Sequence, residues 1–120
     1  MEIIMKNLLK QFGKYIKIHI ASETIDDPLE KNKIKTLLSS LPIKAIVIDL
    51  TATQARWKLS GIDIANAKEI YIDKKYRTLL ELSEKIEIDG EYFEGWKNYG
   101  KMQIREVDNY LRVYIYNKKR

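Results

Sequence analysis

Lys85-Ile86-Glu87-Ile88-Asp89-Gly90-Glu91-Tyr92-Phe93-Glu94-Gly95-Trp96 reads as strand, turn, strand. Asp89-Gly90 supplies the two positive-φ positions that a two-residue hairpin needs, because only there does the turn match the right-handed twist of its strands. Downstream, Lys101 to Val107 and Tyr110 to Tyr116 repeat the device around Asp108-Asn109. Leu111, Val113 and Ile115 point one way, and Tyr110, Arg112, Tyr114 and Tyr116 the other. The last third of the chain is predicted to be a β-meander.

Upstream, Glu69-Ile70-Tyr71-Ile72-Asp73 alternates again, after a bend or bulge marked by Gly61. Ile43-Lys44-Ala45-Ile46-Val47-Ile48-Asp49-Leu50 is β-branched and largely apolar, and Pro42 starts it rather than interrupts it. It is predicted to be a strand covered on much of both faces, at the sheet centre. Tyr15 to Ala21 alternates Ile16, Ile18 and Ile20 against Tyr15, Lys17 and His19, the period of a half-buried strand. Met1 to Phe12 carries Ile3, Ile4, Leu8, Leu9 and Phe12 near helical spacing, with Gly13 placed to stop it as a C-terminal glycine would. Thr78 to Leu82 fits a helical turn or a strand equally well.

Ser22 to Leu41 lacks a strong pattern. Asp26-Asp27-Pro28 is a turn signal, and Lys31, Lys33 and Lys35 make a basic run. A long loop over about residues 22–41 is predicted, although Ile34, Leu37, Leu38 and Leu41 could make a helical turn within it. Short strands joined by hairpin turns favour a small antiparallel β-barrel or sandwich, since closing or stacking the sheet protects its edges. The predicted fold is thus mainly β, one domain over residues 1–120, with a short N-terminal helix and one long loop.

Composition narrows the function. Of 120 residues, 45% are hydrophobic and 32% charged, enough apolar surface to offset the ordering entropy of folding. There is no cysteine, which removes disulfides, thiolate metal sites and cysteine nucleophiles and makes synthesis inside a cell natural. Met1 to Lys10 has neither the charge order nor the cleavage site of a signal peptide, and no apolar run is long enough for a membrane helix; a soluble protein is expected. The net charge of +5 permits an anionic partner, but the charges are interleaved except at Lys118-Lys119-Arg120, a terminal run whose plainest reading is a solvated tail.

No catalytic set is expected. The single histidine, His19, has no cysteine or clustered carboxylates to make a metal site or triad with. An enzymatic reading would rest on His19 and Asp49 alone. Asp49, Asp63, Asp73 and Asp89 each fall where a strand end or turn would place a solvated acid, and the five glycines form no phosphate-binding loop. No cofactor and no metal are predicted. What remains is aromatic: Tyr92, Trp96, Tyr99, Tyr110, Tyr114 and Tyr116 share the meander with Arg105 and Arg112. Such residues can pack across strands, form a protein interface or stack bases. Glu91, Glu94, Glu106 and Asp108 nearby would repel phosphate, which weighs against nucleic acid.

Asn98-Tyr99-Gly100-Lys101-Met102-Gln103-Ile104-Arg105, followed by Asp108-Asn109-Tyr110-Leu111-Arg112-Val113-Tyr114-Ile115-Tyr116, resembles the small head-closure, or stopper, proteins in the neck of tailed bacteriophages and their prophage relatives. Lys85 to Tyr92 and Ala55-Arg56-Trp57-Lys58-Leu59-Ser60-Gly61-Ile62 share the likeness, which covers roughly the second half of the chain. The resemblance implies a β-barrel subunit that joins a ring beneath the portal and its adaptor. It would offer a platform to tail-completion proteins and project a long loop into the channel that DNA traverses. It further implies a virion protein made in the bacterial cytoplasm, a homo-oligomeric ring in the assembled virion and a monomer when isolated, in contact with passing DNA without sequence specificity and with no membrane. On that reading Trp57, Tyr99, Tyr110, Tyr114 and Tyr116 are the expected interface residues. Lys31, Lys33 and Lys35 would face DNA backbone if the loop faces the channel; otherwise they are solvated. The alternative is a small nucleic-acid-binding barrel using Trp96, Tyr114, Arg105 and Arg112.

Overall fold

The computed structural model describes residues 2–27, 32–51 and 64–118. In chain order these form α1 (Glu2–Phe12), β1 (Gly13–Asp27), β2 (Asn32–Ser39), β3 (Ile43–Asp49), β4 (Ile64–Asp73), a 3-10 turn (Lys74–Tyr76) and α2 (Arg77–Glu81). Then follow β5 (Ser83–Ile88), β6 (Glu91–Gly95), β7 (Lys97–Asn98), β8 (Lys101–Met102), β9 (Ile104–Val107) and β10 (Tyr110–Lys118). The fold is mainly β, as the sequence predicts. Six antiparallel strands run in the order β1-β3-β4-β10-β6-β5, and β5 pairs back onto β1 through Ile18↔Ile86, which closes a barrel rather than a sandwich.

Closure follows from alternation held in register. Ile16 and Ile18 of β1, Ile43 and Ala45 of β3, Ile70 and Ile72 of β4, Ile86 and Ile88 of β5, Phe93 of β6, and Leu111, Val113 and Ile115 of β10 all point inward, nearly or wholly buried. Each buried aliphatic side chain contributes about 1.5–3 kcal/mol relative to exposure. Leu80, carried by α2, joins the same core. The segment that the sequence leaves open between helix and strand is therefore helical. The 3-10 turn ahead of it begins where the Asp73 carboxylate accepts a hydrogen bond from the Lys75 amide (3.0 Å), and past its end the Ser83 hydroxyl donates to the Leu80 carbonyl (2.7 Å). The turns Asp89-Gly90 and Asp108-Asn109 have positive φ at both central residues, and so does Tyr99-Gly100, which joins β7 to β8.

Two expectations are corrected. Residues 22–41 are not a long loop: β1 continues to Asp27 and β2 returns from Asn32, paired from His19↔Ser39 to Asp27↔Asn32. Beyond Ile20, β1 pairs with β2 alone, so this hairpin leaves the barrel as an arm. Its sequence shows little hydrophobic alternation, so the signal that marks the barrel strands is missing. Residues 21–27 span roughly 23 Å at 3.3 Å per residue, which accounts for a molecule of 55 × 31 × 27 Å. Gly13, in turn, is not a left-handed helix cap: it is the first residue of β1 and its φ is not positive. Its role is clearance. A Cβ there would lie 2.1 Å from the Leu9 carbonyl oxygen and 2.7 Å from Cε of Lys44.

Candidate functional site

The outer face of the barrel carries the chemistry, and strand register sets who meets whom. On β10, Tyr110, Arg112, Tyr114 and Tyr116 point out, beside Asp73, Tyr71, Glu69 and Ala67 of β4. On the other flank Arg112 meets Arg105 of β9, and Tyr116 meets Glu94 of β6. Helix α1 covers one part of this face: Leu8 and Leu9 pack on Ile46, Tyr71 and Tyr110. A second cluster gathers Ala67, Tyr116, Leu50, Trp96 and Tyr114.

These clusters separate the predicted interface residues. Tyr110 and Tyr116 are only 6% and 8% exposed, spent on packing within the chain, so they are corrected from contact surface to internal support. Burial and then the neighbouring Glu94, which accepts a hydrogen bond from its hydroxyl, hold the Tyr116 pKa above its ordinary value. Tyr71 is pushed up to about 12, first by burial and then by donating its hydroxyl proton to Glu69 at 2.9 Å. Tyr114 is half-buried, whereas Tyr99 is 97% exposed at the β7–β8 turn. Trp57 and Lys31 lie outside the described residues. Lys33 and Lys35 lie in β2, in register with Ile25 and Glu23. From Ser22 to Ser39 the sequence holds Glu23, Asp26, Asp27 and Glu30 against Lys31, Lys33 and Lys35, a balance of −1 that gives the arm no cationic excess for DNA.

Trp96, Arg105, Arg112 and Tyr114, the four residues of the nucleic-acid alternative, are brought together. With Gln103 and Ile104 they line one depression of about 260 Å³. Backbone bonds place Trp96 there: its amide donates to the Tyr114 carbonyl (2.8 Å), and its carbonyl accepts from Gln103 (3.3 Å). The Arg112 guanidinium lies 5.2 Å from the centre of the Tyr114 ring. Its Nε is buried without a hydrogen-bond partner among the described residues. Across Ile104 lies a second, polar depression of about 370 Å³ lined by Arg77, Glu81, Lys97, Gly100, Lys101 and Met102.

An apolar groove of about 520 Å³ was not foreseen. Leu8 and Phe12 of α1 form one wall; Ile46, Val47 and Ile48 of β3, Tyr71 and Val107 form the rest. Phe12 is 57% and Ile48 43% exposed, so α1 covers β3 over Ile46 and leaves it open over Ile48. The signal was there in the i, i+4 pair Leu8 and Phe12 and in the unbroken apolar run of β3, which needs cover on both faces.

The residues of the enzymatic reading have separate partners. His19 Nε2 lies 3.0 Å from Glu87 Oε1, under the ring of Tyr92. Asp49 pairs with Lys68, whose hydrogen bond holds the carboxyl below its usual range. Asp89 pairs with Lys14 at 3.1 Å, and Asp73 caps the 3-10 turn. Asp63 lies outside the described residues. Among those residues no three His, Asp or Glu side chains gather as a metal site would need. No protein-family model matches the sequence, and no curated protein is recognisably similar to it.

Proposed function

We propose that this chain is a structural neck protein of a tailed phage or prophage, a head-closure subunit that assembles as a ring with portal, adaptor and tail-completion proteins. The observation that carries this reading is the arm: a closed barrel projecting a self-paired β-hairpin is the shape of a subunit that anchors in a ring and reaches beyond it. The groove beside α1 and the protruding Tyr99 are a hollow and a knob on one chain, surfaces suited to the head-to-tail contacts from which rings are built. On this reading the chain is made in the bacterial cytoplasm and ends in the virion. It works by contact, without catalysis or cofactor, and passing DNA traverses the assembled channel without sequence-specific contact.

The test is co-expression with portal and adaptor subunits of the same genome, followed by purification and negative-stain microscopy. A ring of added density beneath the portal is the expected result. Its reproducible absence, with the chain folded and in excess, would overturn the assignment.

A further inference from the structure

We propose that the two depressions flanking Ile104 form one binding track for single-stranded nucleic acid, with a base held in the Trp96–Tyr114 depression and phosphates on Lys97, Lys101, Arg105 and Arg112. This activity is independent of the neck assignment. Its first support is proximity: Ile104 belongs to both depressions, so the lysines of the β7–β8 hairpin and the arginines of β9 and β10 border one continuous surface.

The second support concerns the acids that weigh against phosphate in the sequence. Glu94 accepts from the Tyr116 hydroxyl. Glu106 faces Lys74 (3.9 Å) and Arg77 (4.0 Å). Glu91 and Asp108 line neither depression. Glu81, on the rim, pairs with Arg77 at 3.8 Å. Among the described residues, no carboxylate lies within ion-pair distance of Lys97, Lys101, Arg105 or Arg112. Glu94, Glu106 and Glu81 thus have partners of their own, Glu91 and Asp108 lie outside both depressions, and Lys97, Lys101 and Arg105 are exposed, with Arg112 part-buried beside them.

The third support is the pairing of cations with rings. Trp96 and Tyr114 are each partly exposed; aromatic faces accept any base and a cationic border holds the backbone, the combination by which barrels bind single strands without reading sequence. A depression of about 260 Å³ suits one base, not a duplex. A net charge of +5 steers such a ligand to the surface.

The experiment measures fluorescence anisotropy of a labelled oligothymidylate with the full chain, beside an abasic strand of equal length. Micromolar binding is expected at low salt, with log Kobs falling against log salt at a slope of about −2 to −3, as three or four phosphate contacts require. The abasic strand should bind at least about fivefold more weakly, the low end of what stacking one base contributes. Lys97→Gln with Lys101→Gln, or Arg105→Gln, should weaken binding and flatten the slope; Lys85→Gln, a cation stacked on Tyr92 away from the track, should not. Trp96→Ala should abolish the preference for bases, and should that variant unfold, the abasic comparison on the intact chain still decides. Equal affinity for both strands, an equal response to an acidic peptide, or no binding at low salt would overturn the proposal. None of these outcomes bears on whether the chain joins a ring.

Discussion

The two halves of β1 belong to different kinds of sheet. From Gly13 to Ile20 the strand is part of the barrel, paired with β3 and β5, and Ile16 and Ile18 are fully buried. From Ala21 to Asp27 it pairs only with β2, and Ser22-Glu23-Thr24-Ile25-Asp26-Asp27 has a single aliphatic residue. Backbone pairing is continuous through both halves. What changes is whether the strand has an inside. Hydrophobic alternation records burial, and it records strand structure only where the two coincide.

The largest test of that difference sets core truncation against removal of the arm. Phe93→Ala should destabilise the chain by about 3–5 kcal/mol, because the buried ring packs among the core side chains and its loss leaves a cavity. Replacing residues 22–36 with Asn-Gly should cost less than about 1 kcal/mol. Ala21 and Leu37 are in register, so the new turn joins a correctly spaced pair. Urea denaturation of both variants measures this. An arm deletion as costly as Phe93→Ala would mean that the arm supports the barrel and that the two halves of β1 form one cooperative unit. A stable deletion that no longer joins portal complexes would locate the assembly function in the arm.

Legibility in the sequence followed the same division. The β5–β6 and β9–β10 hairpins, the inward faces of β1 and β10, and the apolar β3 could all be read, because each alternates around a core and turns on residues that favour positive φ. Barrel closure was narrowed to two options but not decided, since the Ile18↔Ile86 pairing joins segments distant in sequence with no local mark. The arm was missed because Ser22 to Asp27 holds a single aliphatic residue and Ile34, Leu37 and Leu38 are spaced to fit a helical turn as well as a strand. At the Tyr99-Gly100 turn only the glycine was legible, because tyrosine seldom adopts φ of +55°. For the site, the residue types were legible and their grouping was not. Tyr110 and Tyr114 are four residues apart on one face of one strand, yet one lies under α1 and the other beside Trp96 and Arg112. No spacing rule distinguishes them.

A smaller effect tests how α1 is joined to the barrel. Gly13→Ala should cost about 1–3 kcal/mol, since the added carbon meets the Leu9 carbonyl and the helix must move. Amide exchange should quicken across α1 more than across β10. Gly90→Ala, where nothing lies within 4 Å and only the positive φ opposes a side chain, should cost no more than about 1–2 kcal/mol and leave α1 exchange unchanged. If Gly90→Ala is the more damaging, backbone conformation rather than helix clearance dominates, and the account of Gly13 fails.

Tyr71 offers a probe of the covered outer face. Its folded pKa, about 12, stands above the ordinary value of 10.0, so its contribution is complete below pH 10 and is lost as pH rises through 12. Stability should therefore decline over that window, and Tyr71→Phe should flatten the decline while costing about 1 kcal/mol near neutrality through the lost bond to Glu69. Ultraviolet titration should show one fewer late-forming tyrosinate in the variant than in the wild type, with Tyr116 remaining in both. An unchanged alkaline profile in Tyr71→Phe would assign the decline to other groups.

The least effect is expected at Asp49 and Lys68, at the end of β3, where even the barrel resembles the arm. Lys68 is largely covered and lies over the Phe93 ring, but the Asp49 side chain is 78% exposed. Because the lysine lowers the Asp49 pKa, the pair's contribution is present above the unfolded value of 3.8 and disappears as pH falls through the lower folded value. Solvent screening of so exposed a carboxylate keeps this below about 1 kcal/mol. Asp49→Asn should then change stability at neutral pH only slightly, and less in high salt than in low. A larger, salt-independent loss would mean that Lys68, deprived of its partner, is effectively buried in the barrel mouth. The boundary between the part of the sheet with an inside and the part without one would then lie beyond Asp49.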